Sequence, residues 1–115
     1  MSASRLKLIV RQAGNQACII DVEGDINASS ENALMDAYNQ VNTQGAKAII
    51  LNFTNLEFMN SSGIGLLVTL LIRARRNGQR LLAYGLSEHY RQIFELTRLN
   101  EAIQITSDEM AALAV

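Results

Sequence analysis

AIILNFTNLEFMNSSGIGLLVTLLIRARR, residues 48–76, is the stretch that decides the fold. Residues 48–53 are a short apolar run, which predicts a buried strand. Residues 54–61 read as a polar connection. Ile64, Leu67, Val68 and Leu71 then recur at the spacing of one helix face. Between strand and helix lies Asn60-Ser61-Ser62-Gly63-Ile64-Gly65, so two hydroxyls and two glycines sit where a helix begins, just past a strand's carboxyl end. The first backbone N–H groups of a helix lack intrahelical acceptors, and the macrodipole adds positive character there. Asn60, Ser61 or Ser62 can cap one of these donors. No Glu or Gln follows three residues after any of them, so a reciprocal capping box is excluded. Gly63 and Gly65 leave the turn bare of side chains, open to an anion or to a serine that becomes one.

Outward from this stretch, the pattern alternates between strands and helices. Leu6, Leu8 and Val10 alternate with Lys7 and Arg11, Gly14-Asn15 is a turn signal, and residues 17–22 read as a second strand, together an antiparallel hairpin. Glu23-Gly24-Asp25-Ile26-Asn27 interrupts that strand and reads as a turn. Ser29 or Ser30 is placed to cap a helix over residues 31–43, with Leu34, Tyr38 and Val41 buried, Ala33 and Ala37 alongside, and Gly45 at the exit. After the central helix, Asn77-Gly78 is a stop signal. Residues 80–84 form a strand, Gly85 a turn and residues 88–99 a third helix around Ile93 and Phe94, with Leu96 or Thr97 following. Residues 102–105 form a short last strand, and Ser107 caps a final helix. Residues 1–4 read as a loose end. The order β-β-α-β-α-β-α-(β)-α calls for parallel neighbours joined by right-handed crossovers, plus one antiparallel strand from the hairpin. The expected fold is α/β, a single domain over residues 1–115.

Composition narrows the function classes. At 115 residues with 49% hydrophobic and 18% charged side chains, the chain suits one globular core. A formal net charge of -1 gives no reason to expect direct nucleic-acid binding. The cluster Arg73, Arg75, Arg76 and Arg80 is either a solvated helix end whose cations complement the dipole or a docking patch for an acidic partner. Cys18 is the single cysteine, so no internal disulfide forms; among Ala17, Ile19 and Ile20 it reads as a small core residue. No signal peptide is expected, because Arg5 and Lys7 fall within the early apolar run, and no segment has eighteen uninterrupted apolar residues, so no membrane span is expected.

The chemistry of catalysis is poorly represented. His89 is the only histidine, and the Gly-x-Ser-x-Gly elbow that exposes a hydrolase nucleophile is absent. Gly63-Ile64-Gly65 lacks the third glycine of a dinucleotide fingerprint, and no phosphate-loop lysine follows. One His, one Cys and scattered carboxylates give no metal-ligand spacing. No catalytic residue, metal or cofactor is therefore assigned, and the chain reads as a non-enzyme.

Four segments together resemble the STAS domain: Val22 to Asn27, the strand residues 49–53, Phe58-Met59-Asn60-Ser61-Ser62-Gly63-Ile64-Gly65, and Ile93-Phe94-Glu95-Leu96-Thr97-Arg98-Leu99. That domain is shared by bacterial anti-sigma factor antagonists and the cytoplasmic ends of sulphate transporters. The stand-alone antagonist (anti-anti-sigma factor) type is the nearer likeness. The resemblance implies a mixed four- to five-stranded sheet with about four helices mostly on one face. It also implies a cytoplasmic partner switch in transcription regulation. Ser62, the serine directly before the motif glycine, would be phosphorylated by an anti-sigma factor serine kinase; Ser61 is the alternative. The unmodified protein would bind that kinase, the phosphorylated one would release it, and a PP2C-type phosphatase would reset it. Asp25, Asn27, Asn60, Ser61, Gly63, Ile64 and Gly65 would form the partner surface, with Leu66 or Leu70 joining if they face outward. The family commonly carries Asp at the positions of Asn60 and Asn27; Asn caps a helix as well, but removes a negative charge. A second expectation is a constitutive adaptor or scaffold subunit of a signalling or lipid-transport assembly, with the serines as caps only. A third is a small-anion or nucleotide-binding domain using the helix amino end.

Overall fold

Right-handed crossovers that always step the same way along a sheet place every connecting helix on one face, and that rule organises this chain. The computed structural model describes residues 5–115; the loose end expected for residues 1–4 lies outside them. The strands are β1 (Lys7–Gln12), β2 (Ala17–Ile26), β3 (Ala48–Met59), β4 (Arg80–Tyr84) and β5 (Gln104–Ile105). The helices are α1 (Glu31–Thr43), α2 (Ser61–Arg76), α3 (Glu88–Leu96) and α4 (Glu109–Leu113), with short 3-10 turns at Ala28–Ser30 and Leu99–Glu101. The sheet runs β1-β2-β3-β4-β5 in chain order. β1 is antiparallel to β2, and every later pair is parallel. The α/β mixed sheet expected from the sequence is present, with five strands and four helices.

Both faces of the central strands are buried, which is why β3 begins as a continuous apolar run rather than an alternation. Cys18, Ile20, Val22, Ile49, Leu51, Phe53, Leu81 and Ala83 pack with α1, α2 and α3. Ile19, Ala48, Ile50, Leu82 and Tyr84 face the other way, where Ala112 of α4 covers them. Phe53 and Phe94 meet edge-on, ring centroids 6.4 Å apart, at the centre of the larger core. Cys18 is buried as expected, its thiol 3.2 Å from Gln44 Oε1. Among the described residues no helix is long and apolar enough to cross a membrane.

The structure corrects several expectations. Residues 23–26 are strand, not turn, and β3 continues through residues 54–59 instead of ending at Phe53. The two extensions pair with each other, Glu23 with Asn55 out to Ile26 with Met59, across two register shifts. Gly24 sits in one of them at φ +98°, and a Cβ there would lie 1.9 Å from the Arg5 carbonyl oxygen. β4 pairs only with residues 48–52, so the β3 extension has β2 alone as neighbour and carries solvent-facing polar side chains. On α1, Ala33 is exposed. Ser30 makes no side-chain cap on α1; instead Asn27 and Ser30 cap each other's backbone across the 3-10 turn. On α2 the buried stripe is Gly63, Leu67, Leu70, Leu71 and Ala74, so Val68 faces solvent and Leu70 does not. α3 stops at Leu96, which is exposed, because Arg98 adopts a left-handed φ of 62°. β5 is two residues long, and Asp108 rather than Ser107 caps α4.

A polar group holds α4 to the sheet. Arg11 Nε donates to Asp21 Oδ2 at 2.6 Å, and its Nη2 donates to Asp21 Oδ1 and Glu109 Oε1, each at 3.0 Å. Asn52 Nδ2 also donates to Asp21, and Tyr84 donates to Glu109 at 2.9 Å. The Arg11 bonds hold the carboxyls of Asp21 and Glu109 below their usual range, each against some desolvation, while burial and then Glu109 push the Tyr84 hydroxyl up to about 12. A carboxyl whose folded pKa is depressed adds stability that is complete above its unfolded pKa and is lost as pH falls through the folded value. Urea melts should therefore show wild type more stable than Asp21→Asn at pH 7, and the gap should close on acidification below the ordinary carboxylate range. An unchanged gap at acid pH would contradict this account.

Candidate functional site

Helix α2 starts one residue after β3 ends, and that short connection fixes its first turn against the sheet. Asn60 is the hinge. Its backbone N–H donates to the Ile26 carbonyl at 3.3 Å, tying it to the end of β2. Its Oδ1 accepts the Gly63 N–H at 2.9 Å, and its carbonyl accepts the Ile64 N–H at 3.0 Å. Asn60 is thus the cap that the sequence left open among three candidates, and Ser61 and Ser62 are the first two helical residues. Both are exposed, and among the described residues neither their amides nor their hydroxyls have a hydrogen-bond partner. Two free first-turn N–H groups and two free hydroxyls therefore face solvent at the positive end of a helix of 16 residues.

The two glycines differ in their roles. Gly63 is buried; a Cβ there would lie 2.5 Å from the Ile26 carbonyl oxygen and 2.9 Å from Met59 Cγ. Only a glycine lets α2 approach the ends of β2 and β3 this closely. Gly65 is exposed, and a Cβ there would meet nothing within 4 Å. The expectation that both glycines bare the turn to solvent thus holds for Gly65 and fails for Gly63, whose lack of a side chain serves packing. Ile64 is half-buried against the core.

The remaining predicted residues converge on the same end of the sheet. Ile26 pairs with Met59, so Asn27 and Asn60 follow neighbouring strand ends. The Asn27 side chain is occupied, its Oδ1 accepting the Ser29 N–H at 2.9 Å and the Ser29 hydroxyl at 2.6 Å. Asp25 is half-buried, two residues before Asn27 and paired with Phe58. From beneath, the Met59 N–H donates to the Tyr90 hydroxyl at 2.8 Å, which joins α3 to this corner. His89 is exposed and lies edge-on to Tyr90, centroids 4.8 Å apart.

Three residues at this site were not read from the sequence as surface. Phe58 is 54% exposed, Val68 37% and Ile72 47%. At 100° per residue, Ser61, Gly65, Val68 and Ile72 share the outward face of α2. The signal was present: α2 has more large apolar residues than one buried stripe accommodates, with Leu66, Leu67, Val68, Leu70, Leu71 and Ile72 in a span of seven.

Comparisons with known proteins agree with this geometry. The profile of the STAS domain matches residues 8–112. An anti-sigma-B factor antagonist of Staphylococcus aureus is 26% identical over 86 residues, covering 75% of this chain and 80% of that protein. The anti-sigma-B factor antagonist of Listeria monocytogenes is 27% identical over 90 residues, covering 78% and 79%. Among solved structures, the anti-sigma factor antagonist SpoIIAA in its unphosphorylated form superposes with a TM-score of 0.72 at 18% identity, covering 94% of each chain. The phosphorylated form of the Bacillus cell fate determinant SpoIIAA gives 0.72 at 21% identity, covering 94% of this chain and 98% of that one. The two structural likenesses are likenesses of fold.

Paired substitutions separate the two glycines. Gly63→Ala should destabilise the protein by about 1–3 kcal/mol, because the methyl overpacks against backbone. Gly65→Ala should be neutral or stabilising by up to about 1 kcal/mol through helix propensity. Chemical denaturation of both variants checks this; equal effects would contradict the assigned close approach.

Proposed function

We propose that this chain, which belongs to the STAS domain family, is an anti-sigma factor antagonist working as a phosphorylation-controlled interaction switch. One observation carries the proposal: in a chain of this family, Ser62 stands exposed in the first turn of α2 with its amide and hydroxyl unengaged. Unmodified, the protein binds a kinase-type anti-sigma factor. Phosphorylation of Ser62 by that serine kinase, with Ser61 the alternative acceptor, releases it, and a PP2C-type phosphatase restores the binding form. The setting is cytoplasmic and the role non-enzymatic.

The physics of the turn supports such a switch. A phosphate adds about -1.5 to -2 charge at neutral pH. The free amides and the helix dipole accommodate it without repacking, since neither serine side chain holds the fold together. No basic side chain lies in the first turn of α2 to neutralise it, and Asp25 stands at the neighbouring strand end. The charge is therefore presented outward, at the edge of the apolar residues Phe58, Val68 and Ile72. A partner covering that surface would have to desolvate the phosphate, which is costly without a paired cation. Asn60, Ser61, Gly63, Ile64 and Gly65 shape the turn, and Asp25 and Asn27 border it.

The experiment is reconstitution with an anti-sigma factor kinase from the same cells. Peptide mass spectrometry after incubation with ATP should place phosphate on Ser62. Ser62→Ala should keep binding, whereas the phosphorylated protein should bind at least about tenfold more weakly, with an unchanged far-ultraviolet circular dichroism spectrum. Protein that stays unmodified across growth conditions, with Ser62→Ala and wild type equally active, would replace the switch by the constitutive adaptor.

A further inference from the structure

Gly65 weakens the helix that contains it and relieves no contact within this chain. It stands inside α2, where glycine is less favourable than alanine. Its conformation is ordinary helix, and a Cβ there would meet nothing within 4 Å. Gly63 differs, since its missing side chain lets α2 close on Ile26. A residue that breaks a local rule without an internal gain points to something that approaches from outside.

The surroundings of Gly65 fit such an approach. Val68 and Ile72 follow on the same outward face, both exposed and one turn apart. The Thr69 hydroxyl turns back onto the Gly65 carbonyl at 3.2 Å, so that side chain also stays close to the helix. The result is a bare stretch of backbone followed by two apolar side chains. Packed helices lie about 8–10 Å apart depending on the side chains between them, and a glycine at the contact permits the short end of that range.

The charge of this face is one-sided. From Ser61 to Arg76, α2 contains no Asp or Glu, and Arg73, Arg75 and Arg76 fall in its last turn. Arg76 shares the outward face with Gly65 and Ile72. It forms no ion pair among the described residues, where both ion pairs belong to Arg11. The occupant this face fits is therefore a helix with apolar residues along its middle and a carboxylate at one end.

We propose that Gly65 is the point of closest approach for such a helix of the anti-sigma factor, lying along α2 with its apolar residues on Val68 and Ile72 and its carboxylate on Arg76. This rests on the reading of the chain as an anti-sigma factor antagonist and adds what the partner presents. Ser62 lies roughly 4.5 Å along the axis from Gly65, within the width of about 10 Å of a packed helix, so a phosphate there stands in its path.

Calorimetric titration of the whole protein with a kinase-type anti-sigma factor from the same cells tests the contact. Gly65→Ala should melt no lower than wild type yet bind at least about tenfold more weakly, because the added methyl holds the two helices apart. Val68→Asp should weaken binding in the same way. Arg76→Glu should weaken it about threefold or more, and Arg76→Lys should restore it. Wild-type affinity in Gly65→Ala overturns the close approach, and wild-type affinity in Arg76→Glu overturns the acidic partner. Wild type that binds no anti-sigma factor overturns the antagonist reading itself, and this contact with it. A wild type that self-associates, with Gly65→Ala monomeric but unchanged toward the anti-sigma factor, assigns the face to a second copy and overturns the proposal.

Discussion

The Ile26 carbonyl is the point on which the arrangement of the candidate site at the start of α2 depends. It closes the end of β2, accepts the Asn60 N–H, and has Gly63 packed directly over it. The hydrogen bond alone is worth only about 0.5–1.5 kcal/mol net. Burial contributes more. Ile26 and Met59 are almost wholly buried beneath the first turn of α2, and each such side chain is worth roughly 1.5–3 kcal/mol. Packing therefore sets where the helix starts, and the hydrogen bonds set its direction. With one residue between strand and helix there is no slack, so Ser61 and Ser62 are held outward by the same contacts that bury Gly63.

The elements decided by periodicity were legible in the sequence. α1 spans the residues that its apolar spacing marks, and β4 covers residues 80–84, one charged residue and then its apolar run, between Gly78 and Gly85. The alternation of strands and helices also made the mixed, mostly parallel sheet legible, while the order of the strands within it came from the structure. What was not legible depends on neighbours that are remote in the chain. Thr54, Asn55, Glu57 and Phe58 stand exposed because β4 is too short to flank them, and no local pattern reports the length of a strand two elements away. Gly24 reads as a turn glycine, yet it serves a bulge in which the backbone around Arg5 passes too close for a Cβ. Val68 fits a helical stripe on paper, but the core takes Leu70 in its place, since Leu70 lies nearer the axis set by Gly63 and Ala74. At the site, the turn and its serines were visible, and the cap was narrowed to three residues. The unlike duties of Gly63 and Gly65 required the position of Ile26.

The two faces of the sheet divide the work. On the helix face, apolar packing of α1, α2 and α3 supplies the bulk of the core. The opposite face has one short helix, and its apolar cover is correspondingly small. There, Arg11 bridges Asp21 and Glu109 so that α4 is tethered by charge and by the Tyr84 hydroxyl as much as by Ala112. Exposed ion pairs are weak individually, but a guanidinium that engages one carboxylate through two bonds and a second through another restricts geometry more than a single pair does. This division keeps the Ser62 corner, built on the apolar face, apart from the polar tether.

The neutral caps bear on the proposed switch. Asn60 and Asn27 make the cap bonds that an aspartate would make, so the turn keeps its shape without the charge. Two unit charges about 5 Å apart in water interact by roughly 0.8 kcal/mol. An aspartate at residue 60 would repel a doubly charged phosphate by about twice that, whereas Asn60 does not. The neutral cap thus lowers the electrostatic cost of a phosphorylated turn. It also gives the unmodified surface less negative character, and the apolar side chains of Phe58, Val68 and Ile72 then dominate what a partner meets. In this chain the difference between the two states of the switch would reside almost entirely in the phosphate itself.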